Sequence, residues 1–186
     1  MKAFRKILLA GLVLVPLAAA AQAADYVTPV DSLRADDTGF YVRGDAGMSF
    51  LNWSGSDNDW AGIIGGGVGY RANDHLRSDV TVDWSGTYAI GAGASLSTTT
   101  VLGNLYYDFD SYSAFTPYVG AGAGYGWVNR DIYSDRSGLA AGLAAGVAVD
   151  LGHNFDLDIG YRFRDTLIKG SNPMEHQVTA GIRFSF

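Results

Sequence analysis

The chain has 186 residues, with 25 Gly, 4 Pro and no Cys, and is 48% hydrophobic, 13% aromatic and 17% charged. This length suits a single domain. The apolar and aromatic content excludes disorder, the missing cysteines exclude a disulfide scaffold or thiolate metal site, and the net charge of −6 argues against a general nucleic-acid binder.

Charged residues fall below the roughly 25% usual for soluble domains. The mean hydropathy of +0.07 is nevertheless too polar for a bundle of membrane helices. Residues 1–23 read as a secretory signal peptide: Lys2, Arg5 and Lys6 form a basic start, residues 7–21 run apolar with only Pro16 interrupting, and Ala21-Gln22-Ala23 supplies a small-x-small cleavage pattern. The alternative is a membrane anchor, but the apolar run is shorter than the ~20 residues a spanning helix needs. Cleavage after Ala23 removes three of the 13 basic residues and no acid, so 10 basic residues face 19 acidic ones, a net charge of −9, and Lys169 is the last lysine. Residues 24–39 show no period and read as an N-terminal periplasmic arm.

From residue 40 onward the chain alternates with period two, the mark of a strand whose two faces differ. Residues 40–51 alternate an uncharged set (Phe40, Val42, Gly44, Ala46, Met48, Phe50) with Tyr41, Arg43, Asp45, Gly47 and Ser49. Residues 60–71 set Trp60, Ile64, Val68 and Tyr70 against small residues and Arg71. Residues 76–86 set Leu76, Val80, Val82 and Trp84 against Arg77, Asp79, Thr81, Asp83 and Ser85. In 99–109, Val101, Leu105, Tyr107 and Phe109 oppose Asn104, Tyr106 and Asp108. In 117–128, Val119, Ala121, Ala123, Tyr125 and Trp127 oppose Tyr118 and four glycines. Residues 139–150 set Leu139, Ala141, Leu143, Val147 and Val149 against Ala, Gly and Asp150. That stretch also fits a helix with small residues four apart. It is too short to span a membrane as a helix and its neighbours are strands, so it reads as a strand. Residues 155–164 set Phe155, Leu157, Ile159, Tyr161 and Phe163 against Asp156, Asp158, Arg162 and Arg164. Residues 176–186 set Val178, Ala180, Ile182, Phe184 and Phe186 against Gln177, Thr179, Gly181, Arg183 and Ser185.

Short connections (72–75, 110–116, 151–154) alternate with longer polar ones (52–59, 87–98, 129–138, 165–175). Strands of about ten residues, short turns at one end and longer loops at the other match an all-β, eight-stranded antiparallel up-and-down transmembrane β-barrel over residues 40–186, with both chain ends on the periplasmic side of the outer membrane. Alternation alone does not decide which face meets water, and a soluble barrel with its apolar face inside is the alternative. Export, together with uncharged faces free of Asp, Glu, Lys and Arg in all eight segments, favours the inverted arrangement.

The polar face then lines the lumen with Arg43, Arg71, Arg77, Arg162, Arg164 and Arg183 against Asp45, Asp79, Asp83, Asp108, Asp150, Asp156 and Asp158. Buried charges are tolerable when paired and very costly alone, which predicts an ion-pair network. Closure is expected to bring Arg43 and Asp45 into a network with Arg183, Asp156 and Asp158. An eight-stranded barrel is just wide enough to be filled by its own side chains, so the interior is expected to be plugged. The inward glycines Gly120, Gly122, Gly124, Gly126, Gly142 and Gly146 are expected to make room for the arginines. Aromatic residues favour lipid interfaces. Trp60, Trp84, Tyr125, Trp127 and Phe163 fall at the outer rim, and Phe40, Tyr70, Tyr107, Phe109, Phe155, Phe184 and Phe186 at the periplasmic rim.

Phe40-Tyr41-Val42-Arg43-Gly44-Asp45-Ala46-Gly47 resembles the first strand of small α-proteobacterial outer-membrane proteins in the opacity/OmpX-like β-barrel superfamily. Gly67-Val68-Gly69-Tyr70-Arg71, Asn104-Leu105-Tyr106-Tyr107-Asp108-Phe109, Pro117-Tyr118-Val119-Gly120-Ala121-Gly122 and Gly160-Tyr161-Arg162-Phe163 are similar to later strands of that group. So is the terminal Gly181-Ile182-Arg183-Phe184-Ser185-Phe186. The resemblance implies that Phe186 is the C-terminal insertion signal. It also implies outer-membrane lipid, lipopolysaccharide, periplasmic chaperones, the outer-membrane insertion machinery and a host or cell-surface ligand at the loops as partners. The group includes adhesins, envelope-stabilising proteins and others. The longer connections here are short for an adhesive member.

Chemistry finds little support. His75, His153 and His176 share no metal site, and no cofactor or nucleic-acid site is expected. Glu175-His176 with Ser171 nearby suggests a lipid-A-modifying hydrolase, but adjacent strand positions point to opposite faces. The expected function is a non-enzymatic envelope-structural or surface-interaction barrel, with a narrow porin-like channel and then a lipid-A-modifying enzyme as alternatives. The protein isolated from the envelope is expected to begin at Ala24. Intact-mass measurement and N-terminal sequencing check this, and a retained residue 1–23 segment refutes the signal-peptide reading.

Overall fold

A computed structural model of the chain describes residues 38–52, 59–89, 95–111, 114–130, 136–167 and 174–186. Residues 1–23, read as a signal peptide, and all of the segment read as an arm except Thr38 and Gly39 lie outside these residues, and Gly39 already belongs to the first strand. The strands are β1 (Gly39–Asn52), β2 (Asp59–Arg71), β3 (Leu76–Ala89), β4 (Ser95–Asp108), β5 (Phe115–Arg130), β6 (Arg136–Gly152), β7 (Phe155–Leu167) and β8 (Met174–Ser185). Each pairs antiparallel with its chain neighbours, and β8 closes onto β1 with Ala180 opposite Ala46. Closure leaves no open sheet edge, which is what lets a sheet lie in hydrocarbon with its backbone groups satisfied.

The alanine- and glycine-rich stretch read both ways from sequence is strand β6, 17 residues long. Its helix-compatible spacing loses to the ladders it makes with β5 and β7 on either side. The longer connections are shorter than their polarity suggests, because β3 runs to Ala89, β4 starts at Ser95, β5 reaches Arg130 and β6 starts at Arg136. Above the lipid band both strand faces meet polar surroundings, so the hydrogen-bonded ladder continues where the alternation that reveals it fades. A bulge between Ser85 and Tyr88 shifts the register against β4. Tyr88, which an unbroken alternation from Ser85 would turn outward, is fully buried inside. At the opposite end the β6–β7 connection turns on Gly152, His153 and Asn154, all with positive φ. Asp150 accepts a hydrogen bond from the Gly152 amide at 2.7 Å there.

The two faces are inverted relative to a soluble protein. Val68 and Leu139 are 62% and 65% exposed on the outside, while Arg77, Asp83 and Arg183 are each 1% exposed within. A contiguous apolar outer surface of this kind is stable only against lipid. Among the described side chains the outward strand positions hold no lysine or arginine and a single acid, Asp165, at the outer end of β7.

Strand packing makes a sharp prediction. A Cβ on Gly124 would run into the Val101 and Leu102 backbone of β4, whereas one on Gly44 meets nothing within 4 Å. Gly124→Val should therefore lower the unfolding free energy by ~1–3 kcal/mol, and Gly44→Ala should leave it unchanged. Urea unfolding in liposomes, followed by the mobility difference between folded and boiled protein on gels, measures both.

Candidate functional site in the barrel lumen

Alternation and the barrel's curvature send the odd residues of β1, β2, β3 and β8 and the even residues of β4 to β7 into the lumen. The largest cluster there joins four strands. Arg43 on β1 donates from Nη2 to Asp45 Oδ1 at 2.7 Å, from Nε to Asp45 Oδ2 at 3.0 Å and from Nη1 to Asp79 Oδ2 at 3.1 Å. Arg162 on β7 reaches Asp45 at 2.8 Å and Asp83 at 3.4 Å. Arg164 reaches Asp83 at 2.7 Å and the Thr100 hydroxyl at 2.6 Å. Three guanidiniums therefore meet three carboxylates. Asn104 donates to Asp79 and Thr81, and the Tyr41 phenol donates to Asp79.

Two smaller groups lie toward the periplasmic end. Arg183 on β8 binds Asp156 at 2.9 Å and Asp158 at 3.2 Å, with its guanidinium 5.6 Å from the centre of the Tyr41 ring. Arg77 donates from Nε to both Asp108 oxygens at 2.9 and 3.0 Å and lies 4.4 and 4.7 Å from the Tyr106 and Tyr118 ring centres. Arg71 lies 3.9 Å from Asp108. The two rings meet edge to face, with centres 5.9 Å apart, and the flat, weakly hydrated guanidinium suits the corner between them in a way that an ammonium would not.

Three expectations need correction. Asp150 is not in the lumen network; it is exposed at the periplasmic turn, where the bend after it demands its carboxylate as a cap. Arg43 bonds directly to Asp45 and Asp79 while Arg183 takes Asp156 and Asp158, so the expected single network is two groups, with Asp158 acting on Arg43 electrostatically. Closure sets Arg43 directly opposite Arg183 in the β1–β8 register, and the two like charges turn to separate acids. The inward glycines mostly clear space for other groups than arginine: a Cβ on Gly120 would strike the Tyr106 ring, one on Gly122 the Asn104 amide, and one on Gly146 the Tyr118 hydroxyl.

Sequence reasoning weighed Glu175 only as a partner of His176 and missed it as a lumen acid. It is 4% exposed and points inward, accepting from Thr98 Oγ1 at 2.6 Å, Gln177 Nε2 at 2.7 Å and Ser85 Oγ at 3.0 Å. Beyond it Leu51, Ala61, Tyr88, Leu96 and Val128 form a buried apolar cluster at the outer end. The parity of β8 carried the signal, since Glu175 is two residues before the inward Gln177. His176 faces outward, 2.6 Å from the Tyr161 hydroxyl and against the Phe163 ring. The hydrolase pairing is thus split across the wall, and Ser171 lies outside the described residues.

On the outer surface Phe50 and Trp60, Tyr125 and Trp127, and Phe163 and His176 touch in an outer belt. Trp84 lies in the same row, opposite Ile64 and Thr99. Phe40 and Tyr70, Tyr107 and Phe109, and Phe155, Phe184 and Phe186 touch in a periplasmic one. Phe186 is 68% exposed, and its amide donates to the Phe40 carbonyl. Phe50 and His176 join the outer belt without having been anticipated.

A closed antiparallel barrel with a charged interior, an apolar exterior and aromatic belts at both ends is a transmembrane β-barrel of the bacterial outer membrane. A family model described as outer membrane protein beta-barrel domain matches residues 8–186, and the chain belongs to that family. It is 27% identical to an uncharacterized protein of Brucella abortus over 67% of each chain. It is 26% identical to a candidate adhesin of Rickettsia prowazekii, covering 90% of this chain and 97% of that one. Among solved structures it is similar to Neisserial surface protein A, with a TM-score of 0.71 and 26% identity over 80% of this chain and 97% of that one.

Removing one member of the central cluster should be costly. Asp83→Asn leaves Arg162 and Arg164 short of an acid and is expected to destabilise by ~3–5 kcal/mol. The exposed His75–Asp110 pair is a control, since Asp110→Asn should shift stability by less than ~0.5 kcal/mol. Urea midpoints in liposomes compare the two.

Proposed function

We propose that the protein is a non-enzymatic outer-membrane barrel with a sealed lumen, which stabilises the envelope and presents its outer loops to lipopolysaccharide or to ligands on other cells. The observation that carries this reading is the filled interior. Cross-lumen bonds from Arg43, Arg162 and Arg164 span the barrel at mid-height, Arg77 with Tyr106 and Tyr118 fills the periplasmic end, and the apolar cluster around Leu51 and Tyr88 fills the outer end. A cavity of about 10 Å³ between Tyr106, Gly142, Arg162 and Arg164 has room for one water. Similarity to the Rickettsia candidate adhesin supports surface contact through the loops. The outward His176 and inward Glu175 argue against a lipid-A hydrolase, because no lipid carbonyl reaches both. The exposed Phe186 at the end of the closing strand is suited to be read by the insertion machinery.

The wild-type barrel should pass no steady current in planar bilayers, while a variant emptied at the cross-lumen cluster, Arg162→Ala with Arg164→Ala, should conduct. Stable single-channel steps from the wild type would establish the channel reading instead. Lipid A from cells overproducing the protein should show an unaltered acylation pattern by mass spectrometry.

A further inference from the structure

The lipid-facing wall is not smooth. Across β2 to β5 an apolar groove of about 730 Å³ runs over Ser78, Gly103, Ala121 and Ala123, whose short side chains leave Val68, Val80 and Leu105 standing around it. That volume lies within the ~300–1,000 Å³ of small-molecule sites. Phe40 and Tyr70, which touch in the periplasmic belt, form one edge, and Gly103 and Ala123 lie near the middle of β4 and β5. The groove therefore reaches from the periplasmic interface to about mid-membrane, the depth that one leaflet's acyl chains cover. Gly103 sits in an unbroken stretch of ladder opposite Val80 and Ala123, and a Cβ there would meet only the Ala123 carbonyl oxygen, at 3.9 Å. Internal packing does not demand this glycine; a side chain would fill the groove instead. Glycine in mid-strand without a bulge marks close approach by another group.

The four strands of the groove end in two turns that are tied together. His75 Nε2 in the β2–β3 turn lies 2.7 Å from Asp110 Oδ1 in the β4–β5 turn, and the Asp108 amide donates to the His75 carbonyl at 2.8 Å. Asn73 Oδ1 accepts from the His75 and Leu76 amides and fixes the first turn. Asp74 and Asp110 are both exposed on this paired edge. His75 is three residues from Ser78, ~10 Å along a strand, so the two carboxylates stand at headgroup height for a chain lying in the groove. An ammonium with N–H donors complements them, whereas a headgroup of net negative charge is repelled. A second barrel seated face to face here would set these acids against their own copies.

We propose that the groove holds one acyl chain of a periplasmic-leaflet phospholipid whose primary-amine headgroup is bound by Asp74 and Asp110. The site is distinct from the exchanging lipid around the rest of the wall. It is formed only when β2 to β5 are in register and their two turns meet.

The test uses the full mature chain, folded in detergent with equal amounts of phosphatidylethanolamine, phosphatidylcholine and phosphatidylglycerol of identical acyl chains. Native mass spectrometry then reads the lipid retained per barrel. One retained phospholipid is expected, with ethanolamine favoured over each of the others about twofold to fivefold. Gly103→Leu should lose the retained lipid, and Gly44→Leu, at a lipid-facing glycine outside the groove, should keep it. Asp74→Asn with Asp110→Asn should keep the lipid and lose the headgroup preference. No retained lipid, equal retention by Gly103→Leu and wild type, or retention blind to headgroup overturns the proposal. So does a dimer mass that Gly103→Leu abolishes, which would assign the groove to a second copy. Mobility on cold gels reports folding of each variant. Should Gly103→Leu not fold, Ala121→Leu fills the same groove from β5, and the wild-type headgroup ratio decides by itself. The readout is lipid retention, so failure here is distinct from failure of the sealed-lumen reading.

Discussion

Six arginines buried inside the barrel set the terms for the rest of this molecule. A guanidinium cannot shed its charge, so each must find an acid or an aromatic face within reach. The barrel meets this by distribution. Asp45, Asp79 and Asp83 serve Arg43, Arg162 and Arg164 at mid-height, and Asp108, Asp156 and Asp158 serve the periplasmic end. Because these bonds run between strands far apart in the chain, the interior holds the wall in its register. A partially assembled barrel would leave charges stranded in lipid, which makes closure all-or-none.

Small residues and tyrosines complete that interior. Tyr41, Tyr106 and Tyr118 cover the guanidinium faces that carboxylates leave bare, and glycines on neighbouring strands open the hollows in which their rings lie. The glycine excess, unusual for a soluble domain, thus follows from packing long polar side chains inside a narrow cylinder. On the other side of the same strands, lipid asks only for apolar bulk in the middle and aromatic groups at the ends. Two solvents are served by one period-two pattern.

How far this could be read in advance varies by element. In β1, β3, β7 and β8, charged and apolar residues alternate cleanly, and strand identity and the division into two faces were legible. For β6 the run of Ala and Gly satisfied two periods, and only its position between strands decided. The outer extensions of β3 and β4 were not legible, since polar residues there lie on both faces and a bulge at Ser85–Tyr88 breaks the parity. Asp150 had the right parity but lies at a turn, where the backbone claims its carboxylate before the lumen can. Glu175 was hidden because it sits beyond the last residues that alternate visibly.

The sequence by itself determined the fold class and, Asp150 and Glu175 apart, the charges of one face, because a strand's side-chain period is a local property that any reader of the chain can count. The inverted facing followed from that period only together with the reading of export. Only the tertiary structure decided the pairing. Which arginine meets which aspartate depends on shear between strands and on the opposition of Arg43 to Arg183 at the seam, distances that no local pattern encodes. The same holds for Glu175: its inward parity is written in the chain, but its bonds to Ser85, Thr98 and Gln177 appear only once the strands are assembled and Arg164, its neighbour across the ladder, is seen to bond Asp83.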